Sequence, residues 1–102
     1  MERKFVRKLK EAGCLPLKFV SPGYTGVPDR IILIPGGSVA FAELKAPGEK
    51  ERPRQRYVQG IMRKLGCIVF SAVDSDAKIA EVVRYCEEVK AWNTSRTTIR
   101  DT

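Results

Sequence analysis

A chain of 102 residues with 43% hydrophobic and 30% charged side chains holds enough material for one cored domain, and is too apolar for a disordered chain. Nineteen Lys and Arg against 12 Asp and Glu give a formal charge of +7, a balance that favours a polyanionic partner. No apolar run approaches the roughly 20 residues of a spanning helix, so no membrane partner is expected.

Met1-Glu2-Arg3-Lys4-Phe5 lacks the apolar middle of a secretion signal. Cys14, Cys67 and Cys86 are odd in number and far apart, and the chain has no histidine. A zinc site and every His-dependent nucleophile system are therefore set aside. The cysteines read as small buried hydrophobes in a reducing cytoplasm.

In chain order, Glu2 to Ala12 reads as a helix closed by Gly13, with Phe5, Val6 and Leu9 as its apolar stripe. Glu2 precedes these by three, four and seven positions and points to the same side, where the helix dipole also favours an acid. Leu15 to Val20 reads as a strand that Pro16 places at an edge. Ser21 to Pro28, with two glycines and two prolines, is a loop. Arg30 to Ile34 and Ser38 to Lys45 are β-branched or alternating runs around Pro35-Gly36-Gly37, a three-residue hairpin turn. That register sets Ile34 opposite Ser38 and Asp29 opposite Glu43, and strand alternation puts Phe41, Glu43 and Lys45 on one face.

After a charged loop, Pro53 opens a helix to Leu65, ended by Gly66, with Val58, Ile61, Met62 and Leu65 as its buried side. Gln55 stands at the amino end of that side. Cys67 to Val73 is a further strand, and the strand-helix-strand order predicts parallel pairing with the Glu43 strand. Asp74 or Ser75 caps a last helix to about Lys90, buried through Ile79, Val82, Val83, Cys86 and Val89. Residues 1–92 read as one domain and 93–102, rich in Ser and Thr, as a flexible tail.

Two carboxylates and an ammonium on short apolar strands are costly to bury unless they act together. Asp29 and Glu43 are candidate ligands for a divalent cation, Mg²⁺ or Mn²⁺, with a backbone carbonyl at Leu44 as a third oxygen. Lys45 would orient a water or stabilise developing charge on a phosphodiester, and Glu2 and Gln55 would reach the same cluster from the two helices. Lys50, Arg52, Arg54 and Arg56 are candidate phosphate contacts, and Tyr24 a stacking residue for an exposed base. Solvated charges at the sheet ends, a dipole-favoured Glu2 and a plain surface Tyr24 are the competing accounts.

Gly26-Val27-Pro28-Asp29, Ala42-Glu43-Leu44-Lys45 and Gln55 within Arg52-Pro53-Arg54-Gln55 resemble the virus-type replication-repair nuclease (VRR-NUC) domains of the PD-(D/E)xK superfamily, over roughly residues 2 to 75. The likeness is to their stand-alone phage and bacterial form, and it implies the bacterial host cytoplasm as the location if the chain is phage-encoded. It implies an α/β, restriction-endonuclease-like fold: an αβββαβ core with a mixed sheet and a C-terminal helix. It also implies a Mg²⁺- or Mn²⁺-dependent endonuclease acting as a homodimer on branched DNA, a Holliday junction resolvase, with Glu2 at the position of the family's early helical acid. Arg52 departs from the family pattern, which often has a Ser or Thr cap before the proline. A basic DNA-binding module without catalysis, or a general nicking or restriction-type nuclease on duplex DNA, are the alternatives.

Overall fold

The computed structural model describes the backbone of residues 1–101 and the side chains of residues 1–95. Helix α1 (Glu2–Glu11) buries Phe5 and Leu9, one turn apart. Its end is a Schellman closure: the Gly13 amide donates to the Lys10 carbonyl and the Cys14 amide to the Leu9 carbonyl, each at 2.9 Å. Gly13 takes φ +87° there, which a side chain would resist. Strands β1 (Leu15–Lys18), β2 (Arg30–Ile34) and β3 (Ser38–Leu44) pair antiparallel in that order. The β2–β3 turn has the expected register, with Ile34 opposite Ser38 and Arg30 opposite Ala42. Helix α2 (Pro53–Lys64) then crosses to β4 (Val69–Val73), which pairs parallel with β3, and α3 (Asp76–Asp101) closes the chain.

One face of the sheet carries the core. Ile32, Ile34, Ala40 and Ala42 meet Phe5 and Leu9 of α1 and Ile79, Val82 and Cys86 of α3. Truncating Phe5 or Leu9 to Ala there would cost roughly 2–5 kcal/mol. The ladder between β3 and β4 is bulged: Ala42 faces Phe70, but Leu44 faces Val73, so β4 spends one extra residue opposite Glu43. Ala72 absorbs the bulge at φ +50°, which lets both Phe70 and Val73 turn toward the core although they are three apart.

Three expectations are corrected. Strand β1 ends at Lys18 rather than Val20, although the Phe19 amide still donates to the Asp29 carbonyl at 2.8 Å. Helix α2 buries Val58 and Gln59; Ile61 and Met62 are half-buried and Leu65 is 78% exposed. The reason is a polar seam against β4. Ser71 Oγ donates to Gln59 Oε1, while Arg63 Nη2 donates to Ser71 Oγ and, at 2.9 Å, to the Val69 carbonyl. Finally, α3 continues well past Lys90. Asn93, placed in the expected tail, donates to the Pro35 carbonyl at 3.0 Å and Ser38 Oγ at 2.9 Å, tying the helix to the hairpin. The rest of that expected tail falls largely on residues whose side chains lie outside the described set. The α3 start follows expectation, with Ser75 Oγ accepting the Lys78 amide at 3.3 Å. No helix among the described residues is long and apolar enough to cross a membrane.

Candidate active site

Asp29 stands just before β2, at the end of the glycine- and proline-rich loop. Its Oδ1 accepts the Leu44 amide at 3.0 Å, so the first carboxylate is fixed to the strand that carries the second. Glu43 and Lys45 follow on β3 and its end, on the face opposite the main core, and are 5% and 8% exposed. The Lys45 amide donates to the Val73 carbonyl at 3.0 Å, past the bulge, which anchors the strand end. Above them lies the first turn of α2. Gln55 Oε1 accepts from Lys45 Nζ at 3.0 Å, and Gln55 Nε2 donates to Glu43 Oε2 at 3.4 Å. Lys45 Nζ and Glu43 Oε2 are 3.8 Å apart.

Gln55 has a further contact that explains how α2 starts without the usual Ser or Thr. Its Oε1 also accepts the Arg52 amide at 2.9 Å, the reaching-back half of a capping box, with Pro53 at the first helical position. The helix start and the ammonium are therefore held by one amide group.

The electrostatics are those of a crowded, partly dry acid pair. Burial, reinforced by the charge of Asp29, pushes the Glu43 carboxyl up to about 7, against the pull of Lys45. Burial also lifts Asp29 above the usual carboxylate range, although the Leu44 amide and Arg30 oppose the shift. Glu43 Oε1 is buried without a hydrogen-bond partner. An unpartnered buried carboxylate oxygen beside a second acid fits a hard divalent cation, which would replace the missing partner and relieve the repulsion. Among the described residues no group of three or more His, Cys, Asp or Glu forms a complete set of side-chain ligands, so a backbone carbonyl or water would have to finish the shell. Leu44 lines the adjoining cleft of about 430 Å³ together with Met1, Glu2, Asp29, Lys45, Ala46 and Pro47.

Glu2 reaches this cleft but is held elsewhere. Its Oε1 is ion-paired with Arg30 Nη2, whose side chain is almost wholly buried while that of Glu2 is mostly exposed. Arg30 was missed from sequence; its signal was a cation sharing the strand parity of Ile32 and Ile34, the core-facing positions. Of the proposed phosphate contacts, Lys50 and Arg56 border a second cleft with Glu49, Glu51, Gln59 and Arg63. Arg52 is exposed at the start of α2. Arg54 is engaged instead: its guanidinium lies 4.7 Å from the Tyr24 ring centre and 5.5 Å from that of Tyr57.

The mixed four-stranded sheet, the flanking helices and the Asp-Glu-Lys cluster define the restriction-endonuclease-like class of nuclease fold. Within that class the likeness is to the VRR-NUC domain: a solved structure titled "VRR_NUC domain" superposes with a TM-score of 0.73 at 25% identity, over 81% of this chain and 89% of that one. In sequence, the chain is similar to "Putative nuclease p44" of Acyrthosiphon pisum secondary endosymbiont phage 1. They are 47% identical over 55 residues, which is 54% of this chain and 59% of that protein's length. No protein-family model matches.

Proposed function

We propose that this chain is a divalent-metal-dependent endonuclease that hydrolyses phosphodiester bonds in branched DNA, a four-way junction resolvase working as a homodimer. The observation that carries the catalytic part is the buried, unpartnered Glu43 Oε1 beside Asp29, with Lys45 bridged to Glu43 through Gln55. Asp29, Glu43 and the Leu44 carbonyl would hold Mg²⁺ or Mn²⁺. The bound ion would supply Lewis-acid stabilisation of charge and a more acidic water.

The chain's own residues supply the rest. The Leu44 amide donates to one Asp29 oxygen and so ties that carboxylate to the strand that carries Glu43. Lys45, its amine held beside Gln55 and Glu43, would orient the attacking water or meet charge on a non-bridging phosphate oxygen. Gln55 removes its freedom to swing, so no reorganisation is needed as charge develops. Glu2, held by Arg30, would act through water rather than as a ligand. The surplus of cations would draw in the polyanion, with Lys50, Arg52 and Arg56 on its backbone. A four-way junction has approximate two-fold symmetry, which a C2 dimer would match with two sites.

Labelled four-way junction, flap and linear duplex, each incubated with Mg²⁺, Mn²⁺ or EDTA, test the reading. Symmetric nicks in the junction alone, abolished by EDTA, are expected. Equal cutting of all three DNAs would make the chain a general nicking nuclease. Salt-sensitive binding with no cutting in either metal would make it a basic binding module.

A further inference from the structure

We propose that Tyr24, Arg54 and Tyr57 form a stacking platform for an unpaired nucleobase beside the active site, an inference that rests on the nuclease reading for its ligand. Three observations support it. Tyr24 is 43% and Tyr57 60% exposed, and both rings flank one guanidinium, at 4.7 Å and 5.5 Å from their centres. The cluster is held rigidly: Arg54 Nε donates to the Thr25 carbonyl at 3.1 Å, and Gly26 lies so close to α2 that an added Cβ would be 2.9 Å from both Arg54 Cγ and Val58 Cγ2. The loop bearing Tyr24 is thus pressed onto the helix bearing Arg54 and Tyr57.

Its position supplies the third. Arg54 adjoins Gln55, whose amide contacts Lys45 and Glu43 at 3.0 and 3.4 Å, so the platform stands on the same helical turn that covers the acid pair. Aromatic rings left in water beside a guanidinium plane are the chemistry that takes a flat π-face without regard to base identity. A base inside continuous duplex is stacked on both sides and offers no such face. A flap or fork offers unpaired bases next to the phosphodiester to be cut, and an opened four-way junction bares one face of the pairs at its centre, so the platform would select DNA by branching rather than by sequence.

The test uses forked DNA carrying 2-aminopurine in the unpaired arm at the branch, and fully paired duplex as reference, both in EDTA so that no strand is cut. Binding of the unaltered protein should quench the 2-aminopurine. Tyr24→Leu and Tyr57→Leu should remove the quenching and lower the fork-to-duplex affinity ratio about ten-fold, while Tyr24→Phe and Tyr57→Phe should keep both. Bound fork without quenching would overturn the proposal, as would an unchanged ratio in folded Leu variants. A loss of self-association in those variants with an unchanged ratio would overturn it too, assigning the rings to a protein contact. A separate Mg²⁺ cleavage assay keeps the two readings apart. Stacking without cutting leaves the platform standing and the nuclease reading refuted; cutting without stacking does the reverse.

Discussion

At the scale of single residues, the acid pair is a source of instability that Lys45 only partly offsets. Glu43 has its carboxyl raised from 4.5 to about 7, chiefly by burial and then by Asp29. Because the folded value exceeds the unfolded one, the folded state holds the proton more tightly across that interval. Stability is full below about 4.5 and falls as pH rises through about 7. Urea melts in EDTA at pH 5 and pH 8 should therefore show the metal-free domain more stable at the lower pH. Glu43→Gln should flatten that slope and abolish cutting. Added Mg²⁺ should raise the melting temperature more at pH 8 than at pH 5, since the ligands must be deprotonated to bind it. Asp29→Ala and Lys45→Ala should each lower the cleavage rate about 10³-fold or more with DNA affinity in EDTA largely kept, which single-turnover assays and filter binding would measure.

At the scale of elements, the β2–β3 hairpin was legible because Pro35-Gly36-Gly37 separates two strands whose alternation permits one register. Gly36 and Gly37 take φ +96° and +91°, and the register carries Asp29 to the Leu44 amide. Helix α2 was legible in its span and not in its face. Hydrophobic spacing weighs Leu65 and ignores Gln59, yet the buried Gln59 oxygen is satisfied by Ser71, itself held by Arg63, while Leu65 ends the helix largely in solvent. The end of α3 was hidden for a similar reason, since Asn93 reads as tail until the hairpin carbonyl and hydroxyl it meets are known. The β4 bulge left no sequence signal, because Ala72 is not the glycine that its φ of +50° would favour. Ala72→Gly should relieve that conformation and leave stability within about 1 kcal/mol of the original. Ala72→Val should destabilise by about 1–3 kcal/mol, read from the same urea melts, because a β-branched residue tolerates positive φ poorly.

At the scale of the whole molecule, the proposed function would divide attraction and chemistry between the charge surplus and the two clefts. Lys50 and Arg56 border the cleft lined by Gln59 and Arg63 rather than the one lined by Asp29, so they should act on affinity. Lys50→Ala should reduce the slope of log affinity against log salt by about one and weaken junction and duplex alike, as titrations across a range of salt would show. Fold class and the position of the acid pair were readable from short motifs, because a buried acid in a strand must have a reason. The cation beneath Glu2 and the ringed guanidinium were not, since each depends on residues 28 or more positions apart coming together.

Gln55 makes the first turn of α2 a latch. One side-chain oxygen closes the helix start and secures the Lys45 amine, so fraying at Pro53 and slackening of Lys45 are the same event. Whatever seats firmly on that turn would prepare the chemistry simply by keeping a helix wound.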